Sequence, residues 1–201
     1  MNLLDIPGAI GILRRGGVII VPSDSCFGLA GNAMNEEVFK RVLSLKGRGA
    51  ERPPALFVPD LKDCDTLVSL SDILKKQIAS LIPGPVTLLF RQRPGTPSWL
   101  CDPSGRIGIR MIHHKPLIDV LRQSGLILTA TSANRTGEDP PYSSEDLRTS
   151  PLLTKVDGIL GGSCGGLQPS TVIDLSGDRP ILLREGPIDF NEVLREMEGI
   201  Q

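Results

Sequence analysis

Side chains capable of chemistry gather at the ends of short apolar segments in this sequence. Ser23 and Ser25 follow the apolar run Val18–Val21, and Lys46 and Arg48 close a charged stretch with helical patterning. Arg110 stands in IGIRM, Thr131, Ser132 and Asn134 belong to TSAN, Ser170 and Thr171 open STVID, and Arg184 ends ILLR. Lys and Arg offset phosphate charge, Arg also grips a carboxylate through two parallel bonds, and Ser, Thr and Asn add short orientable hydrogen bonds. In open α/β sheets ligands bind where strand ends and their loops converge, so these positions predict one polar site. Taken singly each is weak, since Ser and Asn form turns and Lys46 with Arg48 suits any helix C-terminus.

Other chemistries fail on composition. There is no Gly-x-x-x-x-Gly-Lys-Ser/Thr phosphate loop and no Gly-x-Gly-x-x-Gly opening a helix after the first strand. The two histidines, His113 and His114, are adjacent and point to opposite sides of an extended chain, so no metal site is expected from them. Cys26, Cys64, Cys101 and Cys164 include no Cys-x-x-Cys pair and read as reduced thiols of a cytosolic protein. A net charge of −1 gives no general case for nucleic acid or membrane. No apolar run approaches the ~18 residues of a membrane span, and the N-terminus does not read as a secretory signal, so a cytoplasmic protein without a membrane partner is expected.

The elements that must position the polar residues alternate. Leu3, Ile6, Ile10 and Leu13 recur at helical spacing before Gly16-Gly17. Val18–Val21 is a doubly buried strand, and PSDSCFGL is the loop at its carboxyl end. Asn35 caps a helix with Glu36 and Glu37 in its first turn, ending at Lys46-Gly47-Arg48; both cations are expected to be exposed, so that removing them leaves stability nearly unchanged. Strands follow at 55–58, 86–90 and 107–111, with two helical stretches between 60 and 82, the second capped by Ser71, and an exposed loop at 91–105. A helix at 115–123 leads to a strand at 126–130, with TSAN after it. Residues 135–150 read as a flap, strands recur at 156–160, 171–175 and 181–183, and Asp189 with Glu192 has capping-box spacing at a last helix. The pattern predicts one domain over 1–201, an α/β sandwich around a mixed sheet.

In chain order, PSDSCFGL, KGR, PGPVTLLF, IGIRM, TSAN, GGLQPSTVID and ILLREG resemble the YrdC-type threonylcarbamoyl-AMP synthase family, over about residues 10–187. The resemblance implies a YrdC-like twisted α/β sandwich with a concave basic groove. It implies a nucleotidyltransferase, L-threonylcarbamoyladenylate synthase, that joins L-threonine, bicarbonate and ATP with Mg2+ and releases pyrophosphate. The product feeds N6-threonylcarbamoyladenosine formation at position 37 of tRNA, which implies the proteins of the transfer machinery as partners. On the family's pattern Lys46, Arg48, Ser132 and Asn134 hold the phosphates, with Thr131, Ser170 and Arg184 also lining the nucleotide pocket. Ser23, Ser25, Arg110 and Thr171 match positions around the amino acid.

The chain departs from the pattern where the family has threonines and a tyrosine and this sequence has Ser23, Ser25 and Phe27. Each Ser removes a methyl contact, of order 1 kcal/mol, and Phe27 removes a hydroxyl. Arg52-Pro53 stands for the usual Lys-Pro, and Gly49 for a Pro; the additional C-terminal domain of longer relatives is expected to be missing. The rival from another class is a YrdC-fold RNA- or nucleotide-binding protein without synthase activity. With aromatics at 3% of the chain, RNA or tRNA binding is expected to be weak and electrostatic.

Overall fold

The computed structural model describes residues 2–166 and 168–198. Its strands, in chain order, are β1 (Leu3–Leu4), β2 (Ile19–Val21), β3 (Gly28–Ala30), β4 (Ala55–Phe57), β5 (Val86–Arg91), β6 (Arg106–Arg110), β7 (Leu128–Ser132), β8 (Gly158–Leu160), β9 (Thr171–Asp174) and β10 (Ile181–Arg184). They form one mixed sheet in the order β1-β8-β2-β3-β7-β4-β6-β5-β9-β10. The helices are α1 (Ile6–Arg14), α2 (Glu36–Lys46), α3 (Asp72–Gln77), α4 (Lys115–Ser124), α5 (Ser144–Thr149) and α6 (Phe190–Glu198). None is long and apolar enough to cross a membrane among the described residues.

Strand parity builds the groove. Ile19 and Val21 of β2 pack with Leu13 of α1 and Leu117 and Leu121 of α4, while Ile20 and Val18, just before the strand, pack with Val38 and Val42 of α2. Both faces are covered, as the unbroken apolar run requires. Farther along, Leu56, Leu88, Phe90, Ile107, Ile109 and Ile173 all turn to one core. The alternate residues Ala55, Thr87, Leu89, Gly108 and Val172 face the other way and floor an open groove. Gly108 is needed there: a Cβ on it would lie 2.9 Å from that of Ala55 and 3.4 Å from Thr87 Cγ2, so the strands approach too closely for any larger residue.

Several expected boundaries move, each for a pairing reason. Leu3 is not helical: it pairs with Ile159 of β8, and Asp5 caps α1 by accepting from Gly8 N at 2.8 Å. PSDSCFGL is loop only to Phe27, because Gly28 and Leu29 form a hairpin with β2 and pair across to Ser132 and Thr131. The same pairing draws the first two residues of TSAN into β7. The stretch near residue 60 is a single 3-10 turn (Leu61–Cys64), whereas Ser71 caps α3 as read, accepting from Leu74 N at 3.1 Å. The 91–105 loop is anchored inside by Leu100 and by Trp99, whose Nε1 donates to Ala33 O at 3.2 Å. Residues 144–149 of the 135–150 flap are α5, opened by a reciprocal capping box between Ser143 and Asp146. At α6, Asp189 accepts from Asn191 N at 2.9 Å and Glu192 meets it through the backbone alone.

Candidate functional site

Asn35 starts α2 by accepting from Glu37 N and Val38 N, and Gly47 ends it in the left-handed region at φ 60°, which turns Arg48 back toward the sheet. This delivers Lys46 to the carboxyl end of β7. Its Nζ donates to Ser132 O at 2.8 Å, Ser132 Oγ at 3.2 Å and Asn134 Oδ1 at 2.9 Å. Asn134 is fixed in turn by donating to Arg135 O and Glu138 O, and Thr136 N donates to Lys46 O at 2.8 Å. Lys46 is 1% exposed, contrary to the sequence expectation of a solvated helix-end charge. The reason is tertiary: the TSAN strand end lies directly over the last turn of α2.

Burial, and next the charge of Arg48, push the Lys46 pKa down to about 8 from the ordinary 10.5. Between those values the unfolded chain holds more protons than the folded one, so this group's contribution to stability rises with pH across the window. A phosphate ligand has the opposite preference, for the charged form. Nucleotide affinity is therefore expected to fall as pH rises from 7 to 9.5 with a midpoint near or above about 8, and Lys46→Arg should flatten the profile, read by titration calorimetry.

Across the floor stands a second cluster. Arg110 Nη2 donates to Ser25 Oγ at 2.7 Å and to Asp24 Oδ1, and the guanidinium lies 5.6 Å from the Phe57 ring centroid. Arg110 is 8% exposed. Burial raises the Asp24 pKa above its ordinary value, with Arg110 opposing. Beside this pair, Arg184 donates to Ser170 O from Nε and Nη2 at 3.0 and 2.8 Å, and Ser170 Oγ lies 3.0 Å from Thr87 Oγ1. Burial, then the nearby Arg110, lowers the Arg184 pKa.

The groove encloses about 720 Å³, within the usual range for small-molecule sites. Ser25, Lys46, Arg48, Arg110, Thr131, Ser132, Asn134, Ser170 and Arg184 all line it. Ser23 and Thr171 do not: Ser23 Oγ donates to Cys26 O at 2.7 Å behind the wall, and Thr171 Oγ1 exchanges bonds with the backbone of Ile188. Sequence reasoning passed over Asp24, Cys26, Asp102 and Arg106; Arg106 is held between Asp102 and Asp174 at 2.7 and 2.6 Å. Cationic lining residues number six against three carboxylates. Among the described residues no three His, Cys, Asp or Glu side chains gather as metal ligands. Leu167, the end of GGSCGGL, lies outside the described residues, but Gly165 and Gly166 pack on the backbone of Asp24 and Ser25, so that segment supports the first loop.

Residues 11–186, the stretch that contains all of these lining residues, match the Sua5, YciO and YrdC family model, described as "Telomere recombination". The chain belongs to this family. Within it, the chain is 33% identical over 183 residues to a protein of Stenotrophomonas maltophilia named threonylcarbamoyl-AMP synthase, covering 89% of this chain and 98% of that one. The fold is similar to that of P. abyssi Sua5 complexed with L-threonine, with a TM-score of 0.87 at 27% identity; the match covers 97% of this chain and 57% of that protein. E. coli YciO is similar over 96% of this chain and 97% of its own, with a TM-score of 0.85 at 26% identity.

Proposed function

We propose that this protein is a threonylcarbamoyl-AMP synthase. The observation that carries the reading is the pair of cation clusters, Lys46 with Ser132 and Asn134 on one side of the groove and Arg110 with Ser25 on the other, in a family member whose relatives bear that name. Lys46, Arg48, Ser132 and Asn134 hold the triphosphate of MgATP, the metal arriving with its substrate. Arg110 and Ser25 hold the amino-acid carboxylate, and Thr131, Ser170 and Arg184 line the nucleotide. Ser23 and Thr171 support the wall from behind.

Bicarbonate and the threonine amine condense to a carbamate with loss of water. A carbamate oxygen attacks the α-phosphorus, the bond to the bridging oxygen breaks, and pyrophosphate leaves. Two anions must meet, so cationic donors at both ends and positioning supply the catalysis, with no protein nucleophile. Arg184 and Arg110 line the same groove, which supports a nucleotide end adjoining the amino-acid end, as direct attack on the α-phosphorus requires. The product serves tRNA modification through partner proteins. No Phe, Tyr or Trp lines the groove among the described residues, which weighs against a single-strand RNA reader.

Pyrophosphate release with ATP, magnesium, bicarbonate and each amino acid, in the absence of RNA, tests the reading. Release is expected to need bicarbonate and to be greatest with threonine. Release indifferent to threonine would remove the amino acid and keep the nucleotide site; tight, salt-insensitive RNA binding without release would favour the binding-module reading.

The two serine departures separate in the same assay. Ser25→Thr, on the groove wall, should raise the threonine-to-serine ratio a few-fold, up to about tenfold. Both serines are 1% exposed, but Ser23 does not line the groove, so Ser23→Thr should overpack its site, costing about 1–3 kcal/mol, with no gain in discrimination.

A further inference from the structure

Arg110 uses its fork poorly. One nitrogen, Nη2, serves both Asp24 Oδ1 and Ser25 Oγ, while Arg110 Nε and Asp24 Oδ2 are buried with no hydrogen-bond partner among the described residues. The side chains of Arg110 and Asp24 are each 10% exposed. Asp24 is not among the residues that line the groove. It sits behind Arg110, on a loop braced by Gly165 N donating to Ser23 O at 2.9 Å and by Gly166 packing on Ser25. A buried guanidinium held from behind through one nitrogen, above the ring of Phe57, has its remaining edge set by that contact.

Resting on the function proposed above, we infer that Asp24 is a positioning residue that aims the Arg110 guanidinium at the amino-acid carboxylate. Two effects of Asp24 oppose one another, and their signs differ. As a charge it repels an anionic substrate, so electrostatics alone predict tighter binding when it is neutralised. As a brace it orders Arg110, so loss of aim predicts weaker binding of the amino acid only. With Nε unpartnered, loss of Asp24 leaves the guanidinium only the single hydrogen bond from Nη2 to Ser25 Oγ and the face of Phe57, neither of which fixes its rotation as an ion pair does, so loss of aim is expected to dominate. A displacement of about 1 Å in a positioning group costs on the order of a hundredfold in rate.

The experiment is steady-state kinetics of the full chain with threonine and ATP varied separately, for the native protein, Asp24→Asn and Asp24→Glu. Asp24→Asn is expected to raise the KM for threonine about ten- to a hundredfold with the KM for ATP unchanged or lower, and Asp24→Glu to fall between it and the native protein. An unchanged or lower KM for threonine in Asp24→Asn overturns the inference. If Asp24→Asn does not fold, Asp24→Glu decides: a several-fold rise confined to threonine supports the brace, and native values refute it. A native protein without amino-acid-dependent pyrophosphate release removes the proposed function and this inference together, whereas native activity with unaltered variants removes only the inference.

Discussion

Lys46→Ala and Lys46→Met are both expected to lose adenylate formation on the order of a hundred- to a thousandfold, yet to differ in stability. The shared loss follows from removing a preorganised cation where charge accumulates. Stability divides on what each variant leaves in a site that is 1% exposed. Both strand Ser132 O and Asn134 Oδ1 without their lysine donor, about 1–3 kcal/mol for a buried acceptor left unmade. Both also remove a buried charge whose pKa stands at about 8, which returns stability at pH 7. Ala additionally deletes most of the buried stem, at about 0.8 kcal/mol per methylene, and Met keeps its volume. Lys46→Ala should therefore be less stable than Lys46→Met by about 2 kcal/mol in urea denaturation, with equal inactivity. Native activity in Lys46→Met would remove Lys46 from the phosphate site.

Arg110→Ala should be the most destabilising single change in the groove. It leaves the Asp24 carboxylate buried without its cation, a loss of about 3–5 kcal/mol for a broken buried pair. The cost should depend on pH in a defined direction. Asp24 already has a raised pKa in the folded protein, so the folded state holds more protons than the unfolded one between the ordinary carboxylate value and the raised one, and stability falls as pH rises through that window. Removing Arg110 lifts the folded value further and widens the window. Denaturation should thus show a smaller penalty at pH 5 than at pH 8, and Asp24→Asn combined with Arg110→Ala should recover part of it. A pH-independent penalty would mean that Asp24 is not charged in the native pair.

Local rules recovered the elements whose signals are local. Asn35 caps α2 and Ser71 caps α3 because a cap needs only the N–H groups two or three residues onward. The double burial of β2 was legible in four consecutive apolar residues. What escaped depends on partners far along the chain. Lys46 is buried by Ser132 and Asn134, 86 and 88 residues away, and no property of α2 itself signals a strand end above its last turn. Gly28 and Leu29 read as loop until β7 is present to pair with them. Ser23 and Ser25 are indistinguishable by spacing, yet only Ser25 faces the groove, since the loop turns between them. Asp24 was passed over because an acid in a Ser-rich loop is ordinarily solvated, and its ion pair with Arg110 spans 86 residues.

The identity of the product is the most direct test of the proposed synthase activity. Purified protein with ATP, magnesium, threonine and 13C-labelled bicarbonate, quenched early and analysed by mass spectrometry, should yield an adenylate carrying threonine and one 13C in its carbamoyl group, with pyrophosphate in equal amount. An adenylate without the label, or ADP and phosphate in place of AMP-linked product and pyrophosphate, would contradict it.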